Sequence, residues 1–187
     1  PSDMHDKALT QRAAQLFPHL GRFESFYLVG GTALALQIGH RISVDFDLFS
    51  ERELPPNLLQ KIKRAFSGTS LEVTYQSADQ INLLLDGVKT TFFYYPYPVR
   101  ETLIEYQSVS IASIPEIAAM KAFAIGKRLA YKDYVDWYFL LSKHHVALPD
   151  VIRLAKSKFG NEFNDRLFLG QLASLADIPD QKIDFLG

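Results

Sequence analysis

The chain has 187 residues, no cysteine and a formal net charge of −1, with 20 Lys+Arg against 21 Asp+Glu. Without cysteine there is no disulfide scaffold, thiolate metal site or Cys nucleophile, and the near-neutral balance lacks the global basic excess that by itself implies binding to long nucleic acid. Because 48% of the residues are hydrophobic, with fourteen Phe and nine Tyr, the chain can bury a substantial core in one domain or in two small lobes.

The opening PSDMHDKALTQRAAQLF mixes charges with apolar residues and has no continuous apolar core of the signal-peptide kind. No other stretch approaches the roughly 20 apolar residues of a membrane span, so a cytoplasmic protein without membrane contact is expected. Ala8, Ala13, Ala14, Leu16 and Phe17 recur at helical spacing and predict an amphipathic helix from Asp3 to about Leu20, limited by Pro18 and Gly21. Phe26 to Val29 is a short apolar run ending at Gly30-Gly31, the pattern of a buried strand breaking into a turn. Thr32 to Ile38 then reads as a helix stopped by Gly39, and Ile42 to Phe49 as the next strand. Pro55-Pro56 opens a helix to about Phe66. Leu71 to Gln76, Ile81 to Leu85 and Val88 to Tyr95 are three further strands, the last two joined by Asp86-Gly87 in a tight hairpin turn. Pro96 and Pro98 cannot donate to a ladder and stop the sheet.

From Pro115 the pattern becomes helical, over 115–130, 133–144, 149–159 and 161–175. The expected fold class is α/β (α+β), with a mixed-sheet lobe and N-terminal helix over 1–112 and a helical lobe over 113–187. There is no internal repeat and no low-complexity tract.

The chemistry concentrates in GGTALALQIGHRISVDFDLF. In a strand, successive side chains alternate, so Ser43, Asp45 and Asp47 are expected on one face and Val44, Phe46 and Leu48 on the other. The two carboxylates then stand roughly 6.5–7 Å apart along the backbone, close enough to converge on one cation or bridge two. An oxygen donor set with open positions suits Mg²⁺, which keeps waters and takes one or two carboxylates together with substrate phosphates. Gly30-Gly31 lets the backbone come close to a phosphate and aims the N–H groups of Thr32 and its neighbours at it, with the Thr32 hydroxyl as a further donor. A Gly pair or a DxD alone is common in purely structural settings; joined by one short helix, they place an anion cradle beside a metal site.

The runs GGTALAL, HR and SVDFDLF resemble the signature of the AbiEii-like nucleotidyltransferase toxins of the DNA polymerase β-like superfamily, and the run from Lys121 through KDYVDWYFLL resembles that family's second block. The resemblance implies a nucleotidyltransferase fold and a reaction moving NMP from an NTP. By it, Gly30, Gly31 and Thr32 hold phosphates, Asp45 and Asp47 bind Mg²⁺ or Mn²⁺, Ser43 assists near the triphosphate, and Arg41 and His40 support the site. Lys121, with Arg128 seven residues later on the same helix face, supplies positive charge to the triphosphate, though Lys121 also reads as a snorkelling surface lysine. Asp133, and less specifically Asp136, could orient Lys121 or touch the nucleotide; Asp136 reads equally as a helix-surface acid. The implied partners are the NTP, a tRNA or protein acceptor and a cognate antitoxin. A small-molecule acceptor stays open.

One position departs from the family pattern. Where its members carry a third carboxylate before YPYP, this chain has Thr91, and threonine is no base at neutral pH. Asp86, Glu72 or Asp133 substitutes, solvent takes the acceptor proton, or the protein is a degenerate nucleotide-binding or protein-interaction module. Lys127 and Lys132, with Lys121 and Arg128, and separately Lys61, Lys63 and Arg64, form basic groups that read first as solvated helix faces. His5, His19, His144 and His145 lack metal-site spacing, Trp137 to Leu141 reads as core, and Tyr94, Tyr95 and Tyr97 read as interface packing or as a platform for a base.

Overall fold

The computed structural model describes residues 3–125, 130–174 and 181–187. The expected long first helix is broken into three pieces: a 3₁₀ turn at Asp6–Ala8, α1 at Gln11–Leu16 and a second 3₁₀ segment at Phe17–Arg22. Local chemistry explains the breaks. Thr10 is extended and its side chain accepts a hydrogen bond from Ala13 N, which starts α1 afresh, while Pro18 falls at the start of the next segment.

β1 (Tyr27–Val29) runs into α2 (Gly30–Ile38), which ends on Gly39 in the left-handed conformation, φ 64°. β2 is Phe46–Ser50, shorter and later than the alternation over Ile42 to Phe49 implied. The extended backbone before it is claimed elsewhere: Ile42 N donates to Asp184 O at 2.8 Å and Ser43 N to Ala8 O at 2.8 Å. Val44 is consequently 51% exposed while Phe46 and Leu48 are buried.

α3 (Leu58–Ala65) precedes β3 (Leu71–Gln76), β4 (Gln80–Leu85) and β5 (Val88–Tyr94). The β4–β5 turn has Asp86 at φ 46° and Gly87 at φ 82°, the two positive values that a two-residue I′ hairpin turn requires. The sheet does not stop at the prolines: a second hairpin, β6 (Ile104–Tyr106) and β7 (Val109–Ile111), turns on Gln107 and Ser108, both at positive φ. Its three-residue strands and glycine-free turn carry little local signal. Among the described residues there follow the α-helices α4 (Ile114–Ile125), α5 (Tyr131–Ser142), α6 (Leu148–Phe159) and α7 (Asp165–Ala173).

The seven strands lie in the order β3-β4-β5-β2-β1-β7-β6. β1 pairs antiparallel with β2 and parallel with β7, and β2 pairs parallel with β5, so the sheet is mixed, as expected for an α/β chain. One hydrophobic cluster runs from Leu28, Phe46 and Phe92 of the strands through Leu34 of α2 to Ile117, Trp137 and Phe168 of the helical part. The C-terminal end of β1, the acids at the start of β2, α4 and the start of α5 all contribute to one cavity beside that cluster, where the site lies.

Candidate active site

The antiparallel ladder of β1 and β2 sets Val29 opposite Asp47, so the acid stands beside the point where β1 becomes α2. Gly30 has φ 75°, and a Cβ built there would lie 2.6 Å from Asp47 Oδ2. A Cβ on Gly31 would lie 2.3 Å from Arg41 Nη2 and 3.4 Å from Ser43 Oγ. The two glycines thus leave the room that a carboxylate and a guanidinium occupy.

Asp45 sits one residue before β2. Behind it, Thr32 is buried, with Oγ1 2.7 Å from Ser43 Oγ and a hydrogen bond from its hydroxyl to the Asp45 carbonyl. The Thr32 hydroxyl, expected on a phosphate, is spent on bracing the acid loop, and Ser43 is buried with it. Only the backbone of Thr32 remains as a donor of the expected kind.

Gly30, Gly31, Arg41, Asp45, Asp47, Lys121 and Asp133 line one cavity of about 460 Å³, with Phe49, Tyr95, Met120 and Phe123 as an apolar wall. This volume lies within the range of small-molecule sites, and the mix of an apolar wall with convergent charges is typical of them. Lys132, read in sequence as part of a solvated basic group, lines the same cavity, its Nζ 3.4 Å from Asp45 Oδ2. Arg128 and Lys127 lie outside the described residues. Lys61, Lys63 and Arg64 are exposed on α3, as a solvated face would be.

Beneath the cavity floor Asp136 is fully buried, which corrects its reading as a helix-surface acid. Its Oδ1 accepts from Arg41 Nε at 2.7 Å and lies 2.6 Å from His40 Nε2, and its Oδ2 accepts from Arg41 Nη2 at 3.0 Å. Lys121 Nζ reaches Asp136 Oδ2 at 2.7 Å and donates to Asp133 Oδ1 at 2.8 Å. Burial alone would raise the Asp136 carboxyl, but Lys121, His40 and Arg41 together hold it far below the usual carboxylate range. Burial likewise pulls the Lys121 ammonium down, and the carboxylates of Asp136 and Asp133 more than offset it, leaving it raised and charged. Lys121 is therefore a buried, paired cation rather than a snorkelling one. The signal for Asp136 was its place between Val135 and Trp137 in an apolar helical run, one turn from Asp133.

Residue Thr91 pairs in register with Asp47 across β2 and β5, so the hydroxyl side chain stands next to the acid. Neither of the more distant acids reaches the cavity. Asp86 is held in the hairpin turn by Arg12 and by Ser70 N, which donates to its Oδ1 at 2.7 Å, and Glu72 is on β3, two strands from Thr91's β5 on the side away from β2. Among the described residues no group of three or more His, Asp or Glu could hold a metal, so a cation here would rest on Asp45 and Asp47 with waters and phosphate completing its shell. Tyr95 and Tyr97 pack edge-on to Phe159 of α6, whose ring stacks on Phe123 of α4 at 4.0 Å. The tyrosines thus join the end of β5 to the helices, and Tyr95 also faces the cavity.

A family model described as nucleotidyl transferase AbiEii toxin, type IV TA system, matches residues 13–100 and 81–184. An uncharacterised protein of Aquifex aeolicus (strain VF5) is 40% identical over 144 residues, which are 76% of this chain and 70% of that protein. Among solved structures, JHP933 from Helicobacter pylori superposes with a TM-score of 0.58 at 18% identity, over 88% of this chain and 90% of that one. MenT4, a nucleotidyltransferase toxin from Mycobacterium tuberculosis H37Rv, superposes with a TM-score of 0.51 at 16% identity, over 76% of this chain and 63% of that one. At such identities the structural likenesses speak for a shared fold.

Proposed function

The chain belongs to the AbiEii nucleotidyl transferase toxin family, and from that premise we propose that it moves a nucleoside monophosphate from an NTP to an RNA, such as tRNA, or to a protein acceptor, with Mg²⁺ or Mn²⁺ held by Asp45 and Asp47. The observation that carries this reading is the seat of Asp47 against the Gly30 turn, in one cavity with Arg41, Lys121 and Lys132. A hard divalent cation fits the donor set, because Asp45 and Asp47 offer only oxygens and leave positions open for phosphate and water. When bound, such an ion offsets the two carboxylates and polarises the α-phosphate.

The chain's own residues do the rest. The N–H groups at the start of α2 face the polyphosphate, where the partial positive charge of a helix N-terminus favours anions. Arg41, tied to Asp136, keeps a rigid guanidinium behind Gly31, and Lys121 stays charged through Asp133 and Asp136. The acceptor oxygen attacks the α-phosphorus as the bond to the β-phosphate oxygen breaks and pyrophosphate leaves. Because Thr91 rather than an acid stands beside Asp47, the acceptor proton passes to solvent, at a cost of up to about 10²–10⁴-fold relative to a site with a general base.

Incubation with each radiolabelled NTP, Mg²⁺ and either total tRNA or a cell lysate tests the reading and separates the acceptor classes. Transfer is expected in the wild type and is expected to fall by more than about 10²-fold in Asp45→Ala and Asp47→Ala. Nucleotide binding without transfer to any acceptor would instead favour the degenerate form that Thr91 suggests. The family's description supports a toxin role with an antitoxin partner, which co-expression with the neighbouring gene tests. Among the described residues no helix is long and apolar enough to cross a membrane.

A further inference from the structure

We propose that Lys132 is an exchanging cation: it neutralises Asp45 while no divalent ion is bound and turns to the polyphosphate once Asp45 ligates the metal. The inference rests on the reading of Asp45 and Asp47 as metal ligands, and it concerns a residue that the sequence singled out only as part of a solvated basic group.

The cations that line the cavity differ in what they can offer a substrate. Lys121 and Arg41 are 7% and 5% exposed at the side chain; Lys121 is tied to Asp133 and Asp136, and Arg41 to Asp136. Two cations and two carboxylates are thus locked together in one buried cluster in the wall of the cavity. It is a rigid wall, not a movable counter-ion. Lys132 stands in the first turn of α5, one residue before Asp133, with its side chain 42% exposed and its Nζ 3.4 Å from Oδ2 of Asp45, whose side chain is 30% exposed. The pair bridges the acid loop and α5, and both residues line the cavity that Gly30 and Gly31 also line.

An ion pair so long and so accessible to water is weak, and salt screens it. A divalent ion on the same oxygen removes Lys132's partner while bringing anionic phosphates within the reach of its four-carbon stem. The lysine type suits the exchange: a compact ammonium with three rotatable donors can swing between anions, whereas an arginine fork would hold a carboxylate with two parallel bonds. Lys132 therefore competes with the metal for Asp45 and cooperates with it for the nucleotide. A residue that merely supported the fold would weaken both together.

The test reads those two affinities separately, without turnover. Binding of Mn²⁺ alone is followed by electron paramagnetic resonance of the free ion. Binding of each α,β-methylene nucleoside triphosphate is followed by calorimetry at saturating Mn²⁺. In Lys132→Gln, Mn²⁺ affinity is expected to rise by up to about fivefold, the equivalent of roughly 1 kcal/mol, and analogue affinity to fall about tenfold. Lys132→Arg should keep most of the analogue affinity. In an Asp45→Asn background the Lys132→Gln effect on Mn²⁺ should vanish, since the contested oxygen has changed. Weaker Mn²⁺ binding in Lys132→Gln, or no change where the wild type binds Mn²⁺ and Asp45→Asn does not, would overturn the exchange while leaving the metal site intact. Equal Mn²⁺ binding by the wild type and Asp45→Asn would overturn the metal assignment itself, and the role of Lys132 with it.

Discussion

Gly30 shows how a single missing methyl group can position chemistry. Its φ of 75° is a left-handed value, and its missing Cβ leaves the space 2.6 Å from Asp47 Oδ2. Gly30→Ala is expected to cost about 1–2 kcal/mol of backbone strain, or roughly 2–4 °C in Tm per kcal/mol for a chain of this size. It should also weaken Mn²⁺ binding, because the new methyl group pushes on the carboxylate; unchanged Mn²⁺ affinity would show that the acid's position is not what the glycine protects. Asp136 acts on the same scale through charge. Its folded-state pKa lies below the ordinary value, so the unfolded chain binds the extra proton and stability rises with pH across the interval between the two values. Its contribution is complete above the unfolded pKa of about 3.9 and is lost as pH falls below it. Melting curves from pH 7 to pH 2 should show this acid limb, and Asp136→Asn should flatten it. At neutral pH the same variant should lose about 3–5 kcal/mol, since Lys121 and Arg41 remain buried with half their counter-charge gone.

Between elements, a second buried ion pair ties the helices to the end of the sheet. Lys158 of α6 donates to Glu116 Oε1 of α4 at 2.5 Å and to the Pro98 carbonyl at 2.8 Å, with both side chains fully buried. Glu116 Oε2 accepts from the N–H groups of Arg100 and Glu101 at 3.1 Å and 3.0 Å. Glu116→Leu is expected to cost about 3–5 kcal/mol by stranding a buried ammonium. The double variant Glu116→Leu/Lys158→Met should recover only part of that, because two backbone donors then lack an acceptor; full recovery in urea titrations would mean that water reaches those donors. The elements were unequally legible beforehand. The β4–β5 hairpin was plain because Asp86-Gly87 encodes its turn in two adjacent residues. The β6–β7 hairpin was not, since it rests on three-residue strands and on pairing with β1, more than eighty residues away.

At the scale of the molecule, parallel pairing of β1 with β7 and of β2 with β5 knits distant segments into one sheet, and a single hydrophobic cluster continues from that sheet into α4, α5 and α7. The sheet lobe and the helices are therefore expected to unfold together, with equal calorimetric and van't Hoff enthalpies; two resolved transitions would show that the helical part stands alone. What the sequence determined by itself was everything carried by short spacing: the mixed α/β class, the Gly pair opening a helix, the two acids within three residues of each other, and the basic and acidic residues of the later helices. What only the tertiary structure decided was which groups meet. Asp136 became the buried hub of Arg41, His40 and Lys121, Lys132 came to face Asp45 from 87 residues away, and Thr32 and Ser43 turned inward as braces. The reason is that period and turn chemistry act over a few residues, whereas the partner of a charge depends on how helices dock on a sheet, and docking is driven by apolar burial that has no direction of its own.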